Sequence, residues 1–263
     1  MLPRRATVQR DSAAAGSGTG KYIYAVVRAR AGRQFDFLGI ADRPLETIER
    51  GGVALVVSDL AAERIRPERR HLAAHRTVLA RLIEQEDAVL PMRFGAIASG
   101  PAEITRSLAR NRELFLRQLR RVAGKVEMGL RAVWDVPNIF QYFVSVHPEL
   151  REIRDRLFRA AARVSHEERI ELGRMFERLL NEQRQAHTGL VEEVLAPHCA
   201  EIRGSPVREE REIMNLACLV GKDRREDFES GVLEAAQHFD SNFAFDYNGP
   251  WAPHAFAEIT LKG

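Results

Sequence analysis

The apolar positions of this chain repeat in two ways. Tyr22-Ile23-Tyr24-Ala25-Val26-Val27 is β-branched and aromatic and reads as a strand. Val53-Ala54-Leu55-Val56-Val57 is apolar at every position, as in a strand buried on both faces at the centre of a sheet. Lys125 to Trp134 alternates instead. Val126, Met128, Leu130, Ala132 and Trp134 face one way, and Lys125, Glu127, Gly129, Arg131 and Val133 the other, which predicts a half-buried strand with one polar face. Val89–Phe94, Ile213–Val220 and Phe243–Tyr247 read as further strands, and Glu201–Arg208 is another candidate.

Helical spacing occupies the gaps. Pro67 to Glu86 places Leu72, His75, Leu79, Leu82 and Ile83 on one face. Pro101 suits a first helical position, Ile104, Leu108, Phe115, Leu119 and Val122 form the buried stripe that follows, and Gly124 is a C-terminal stop. Pro148 separates a short segment near Phe140–Val146 from a helix over Glu149–Arg163. Ser165 and Glu168 have capping-box spacing and open a helix that can run to Pro197, with Gly173 and Gly189 as possible interruptions. Asp223 and Glu226 repeat that spacing before a helix through Phe228, Leu233, Ala236 and Phe239. Leu45–Arg50 is expected to be a short helix ended by Gly51-Gly52, residues 29–38 a loop, Gly249-Pro250-Trp251 a turn, and Ala255–Leu261 a short edge element.

These elements predict an α+β protein of two packed α+β domains. Residues 1–20, rich in Ala, Gly, Ser, Thr and Arg, read as a disordered tail. Residues 21–123 form the N-terminal α+β domain. Residues 124–263 follow the order β-α-β-β-α-β, a ferredoxin-like arrangement with extra helices in its first crossover. No Pro/Gly/Ser linker separates the halves, so they should pack together.

Composition changes this picture little. Of 263 residues, 45% are hydrophobic and 29% charged, the mix of a globular protein. No apolar run approaches the ~20 residues that cross a bilayer, and a cytoplasmic protein is the default. Charge is less even. Residues 1–123 carry 22 Lys and Arg against 13 Asp and Glu, and residues 124–263 carry 18 against 24. The halves could therefore attract partners of opposite sign, or neutralise one another.

Candidate chemistry is sparse. His71 and His75 are four apart on a helix, but the sequence places no third metal ligand, and His75 falls on the apolar stripe. Cys199 follows His198, yet neighbouring side chains generally point apart, which argues against a nucleophile and its base. Cys199 and Cys218 read as free buried thiols. Neither an enzyme, a metal site nor a cofactor is expected. Arg93, Lys125, Glu127, Arg131 and Trp251 are the candidate protein-interaction residues, with Trp251 of a type enriched at binding hot spots. The alternative for Arg93, Glu127 and Arg131 is ion pairing that bridges the halves. For the large apolar groups Trp134, Trp251 and Phe256 it is core packing. A ferredoxin-like nucleic-acid-binding module is the competing function, but the polar face of Lys125–Trp134 offers no aromatic for base stacking.

Five segments resemble, in order, the gas-vesicle GvpL/GvpF family: Tyr22–Val27, Gly51–Asp59, Leu90-Pro91-Met92-Arg93-Phe94-Gly95, Gly124–Asp135, and Asn215–Val220 followed by Gly249-Pro250-Trp251. The resemblance implies two α+β domains, the second a modified ferredoxin fold. It implies a minor structural or assembly protein of the gas vesicle with no attached catalysis. The implied partners are the small hydrophobic shell subunit and other minor vesicle proteins, not nucleic acid or membrane. It supplies no mapped binding residue.

Overall fold

A computed structural model describes residues 20–61, 64–159 and 165–258. Among these it contains two antiparallel sheets and six α-helices. The first sheet is built from β1 (Gly20–Arg28), β2 (Leu45–Arg50), β3 (Val53–Leu60), β4 (Val89–Pro91) and β5 (Ile97–Ala98). Its order is β2-β3-β1-β4, with β5 also on β1. Helix α1 (Arg69–Gln85) packs Val78, Leu79, Leu82 and Ile83 on the face that carries Tyr22, Tyr24, Ala54 and Val56. Helix α2 (Pro101–Val122) covers the opposite face, where Ile104, Leu108, Phe115 and Leu119 meet Ile23, Val26, Leu55 and Val57. The two covering helices explain why β3 is apolar at every position of its first five residues.

The second sheet joins β6 (Lys125–Trp134), β7 (Glu201–Gly204), β8 (Glu212–Gly221) and β9 (Phe243–Trp251) in the order β7-β8-β6-β9. Between β6 and β7 lie α3 (Ile139–Val146), α4 (Pro148–Arg159) and α5 (His166–Leu195); α6 (Arg225–Ala236) connects β8 to β9. The chain order strand, helices, strand, strand, helix, strand follows the sequence pattern. The alternation of β6 is realised fully: Val126, Met128, Leu130, Ala132 and Trp134 are buried, and the residues between them are half-buried. The apolar face packs on α3, α5 and α6, and the resulting core is continuous with that beneath α1. Ala217 and Leu219 of β8 reach the other way, into the α2 core.

Several local expectations are corrected. Leu45–Arg50 is a strand, not a helix, because Gly51 (φ 62°) and Gly52 (φ 86°) make a two-residue hairpin turn that pairs it with β3. The strand expected over Val89–Phe94 stops at Pro91, and Arg93 lies in a turn. The Asp223–Glu226 capping box is not formed, since Arg224 occupies the N-cap and no side chain caps the helix. The Ser165–Glu168 box is complete, and its 30-residue helix runs through both Gly173 and Gly189. Gly249-Pro250-Trp251 is the last part of β9 rather than a turn after it, with a cis Gly249–Pro250 bond. Where a short edge element is expected over Ala255–Leu261, residues 254–256 form a turn and residues 257–258 are irregular. Gly20, the last residue of the tail expected over residues 1–20, opens β1; residues 1–19 and the ends expected at 160–163 and 259–261 lie outside the described residues.

Candidate functional site

The site begins with an interruption in the first sheet. β4 pairs with β1 as far as Ala25↔Pro91, and the Met92 N–H then donates to the Tyr24 carbonyl at 2.8 Å. Pro91 donates no hydrogen bond, which a sheet-edge position tolerates. The chain leaves the sheet through a turn closed by Ala96 N–H to Arg93 O, with Gly95 at φ 88°, and rejoins β1 as β5. Tyr22 holds this loop. Its hydroxyl accepts from Gly95 N–H at 3.1 Å and lies 2.9 Å from Nδ1 of His75 on α1. Phe94 packs against both rings, and Tyr24 stacks on His75. The same arrangement turns Arg93 out to solvent.

Burial in this aromatic cage, with His254 nearby, pushes the His75 pKa down to about 4 against the opposing pull of the Met92 backbone carbonyl, which favours the protonated ring. Burial likewise lifts Tyr22 to about 12. Both groups are neutral at pH 7 and serve as hydrogen-bonding struts. His71 turns instead to the Arg66 carbonyl, 3.1 Å away, so the two histidines share no ligand position.

The second wall comes from the end of β9. Trp251 lies opposite Glu127, and its Nε1–H donates to Asn248 Oδ1 at 2.7 Å. Gly249 sits at φ 127°, and a Cβ there would meet Met128 Sδ at 2.9 Å and the Glu127 carbonyl at 3.0 Å, so only glycine brings Trp251 this close to β6. Past Trp251 the chain crosses the polar face of β6. Glu127 Oε2 accepts from Ala255 N–H at 2.7 Å, and burial raises the pKa of its carboxyl against that bond. Phe256 is fully buried beneath the Arg203 guanidinium. On α1, Arg76 lies over the Trp251 ring at 4.8 Å.

Two hollows result, with His254 in both walls. One, of about 290 Å³, is lined by Arg76, Leu79, Ala80, Glu127 and the 250–254 segment. The other, of about 900 Å³, lies between the Pro91–Ala96 loop and residues 254–258. Three candidate interaction residues, Arg93, Glu127 and Trp251, thus line one continuous seam. Lys125 and Arg131 do not. Lys125 Nζ donates to the Arg121 and Ala123 carbonyls and closes the end of α2. Arg131 pairs with Glu212 at 2.8 Å and Glu209 at 3.2 Å within the second sheet. The charged links between the halves use other residues: Arg121 grips Glu201 with two nitrogens, and Lys222 Nζ donates to the Ile83 and Glu86 carbonyls. Sequence reading missed Arg76 and His254, whose only signal is spatial.

The described residues include no group of three or more His, Cys, Asp or Glu placed to hold a metal ion. His198 is turned to Asp227 at 3.0 Å, while the Cys199 thiol hydrogen-bonds Cys218, so histidine and neighbouring cysteine serve different partners. Both cysteines are free. No described helix is long and apolar enough to cross a membrane. The segment crossing β6 also covers the sheet face that an RNA-stacking module would leave open.

The fold is that of a mixed α+β protein with two antiparallel sheets. It superimposes on the crystal structure of gas vesicle protein GvpF from Anabaena sp. PCC7120 with a TM-score of 0.82 at 23% identity, covering 92% of this chain and 99% of that one. GvpF from Microcystis aeruginosa gives a TM-score of 0.79 at 22% identity, covering 92% and 100%. Residues 20–258 match the family described as gas vesicle synthesis protein GvpL/GvpF, and the chain belongs to that family. It is 29% identical to gas vesicle protein F of Streptomyces sp. (strain CB03234) over 90% of this chain and 99% of that protein. It is 24% identical to gas vesicle protein L1 of Halobacterium salinarum over 90% of each.

Proposed function

We propose that this chain acts in gas-vesicle formation as a non-enzymatic binding protein. It holds the small hydrophobic shell subunit, and engages other minor vesicle proteins, in the cytoplasm before and during wall assembly. A subunit that polymerises into a gas-tight wall exposes a large apolar face, which aggregates unless covered. The observation that carries the reading is family membership across residues 20–258. The seam adds a surface on which such a face can dock. Its carboxylates and the buried Tyr22 and His75 are held by hydrogen bonds or ion pairs, and among the described residues no nucleophile is set beside a base there.

The Lys125–Trp134 strand is flanked by β8 and β9, so strand addition has to use another edge. The test is co-expression of the full chain with the shell subunit, followed by affinity capture. Retention of the subunit, with less of it in the insoluble fraction, is expected. A subunit that remains equally insoluble and uncaptured overturns the proposal.

A further inference from the structure

The seam has an electrostatic asymmetry. Its carboxylates are committed inside the chain: Glu127 accepts the Ala255 N–H, and Glu258 pairs with Arg203 and Arg121. Its guanidinium groups are not. Arg93 is exposed on the loop that Tyr22 pins, and Arg76 is exposed with its ring-facing side on Trp251; neither has a carboxylate partner among the described residues. A guanidinium stacked by its face keeps its edge N–H groups free for a planar acceptor. Arg76 lines the smaller hollow, whose wall is mainly apolar through Leu79, Ala80, Pro250 and Trp251, and Arg93 lines the larger one, which shares His254 with it.

We propose that this seam takes a segment of the shell subunit in which a large apolar side chain is flanked by a carboxylate. The apolar group fills the hollow beside Trp251, the carboxylate is received by Arg76 at that hollow, and Arg93 on the adjoining larger hollow adds to the same positive field. This assignment rests on the function proposed above and adds the place and chemistry of contact. Desolvated Trp and Arg are the residue types that dominate binding interfaces, and a charge-assisted contact to guanidinium fixes the orientation of the bound segment.

The test uses the full chain co-expressed with the shell subunit. Arg76→Glu and Arg93→Glu alter exposed side chains and leave the buried Tyr22–His75 network in place. Each should lower captured subunit by about tenfold or more, because each sets like charges against one another. Ala80→Trp, on an exposed helical position, should fill the hollow and act similarly. Arg174→Glu, at an exposed position of α5, makes the same charge change away from the seam and should capture as the parent does. Circular dichroism and unfolding curves check that every variant is folded.

Capture unchanged in all three seam variants overturns the inference and leaves the proposed function standing. Equal loss with Arg174→Glu also overturns it, since binding would then follow net charge. Failure of the parent chain to capture the subunit overturns both.

Discussion

The central strands of the two sheets differ in how they are enclosed. β3 lies between faces covered by α1 and α2, and nearly every one of its residues is buried. β6 is covered by helices on one face only, so its residues alternate between buried and half-buried. Its other face is roofed by the segment after Trp251 and by the α2 end of the core. A sheet sealed by two helices presents little for a partner to use. A sheet roofed by irregular chain leaves grooves at the margins, and the seam between α1, the Arg93 loop and β9 is one.

This contrast can be tested by weakening each region. The largest effect is expected from Phe115→Ala in α2, which empties the core shared by β3 and β8. Removing so large a buried side chain should cost about 3–5 kcal/mol in denaturant unfolding. Next is the pH response of His75. In the fold its imidazole stays neutral down to about pH 4, whereas in the unfolded chain it takes a proton near its ordinary 6.5. Between those values the unfolded chain binds more protons, so stability is complete above 6.5 and falls as pH falls toward 4. The loss should be about 3 kcal/mol, and unfolding curves across that range should be flatter for His75→Phe. His254, also held neutral by burial, adds a drop of the same sign that survives the substitution.

A smaller effect is expected at the roofed sheet. Gly249→Ala places a methyl against Met128 and the Glu127 carbonyl at a left-handed φ, costing about 1–3 kcal/mol and loosening Trp251. Quenching of Trp251 fluorescence by iodide should rise in that variant; Trp134 is buried and contributes a steady background. The smallest effects separate two capping signals of equal spacing. Ser165→Ala removes a formed cap and should cost about 1 kcal/mol. Asp223→Ala removes no cap and should change the unfolding free energy by less than roughly 0.5 kcal/mol.

These sites also mark what the sequence could convey. The exposed and buried positions of β6 follow from strict period two, and the end of α2 from Gly124, which takes φ 66°. Leu45–Arg50 was misread because its composition suits a helix. Pairing with β3 decides the matter, and the stronger signal was Gly51-Gly52 after it. Arg93 was expected in a strand because nothing in residues 89–94 reveals that the Tyr22 hydroxyl will reach Gly95. The seam was legible only in part. Arg93, Glu127 and Trp251 stood out singly, but residues 76, 93, 127, 251 and 254 become neighbours only when two sheets pack.

The roof over β6 is made by the last described stretch of the chain, where the Ala255 N–H and Phe256 ring anchor it. A fluorescent reporter or affinity handle joined directly at Glu258 is therefore tethered at the rim of the larger hollow. Truncation before Ala255 deprives Glu127 of its donor and uncovers Leu219 at the same stroke.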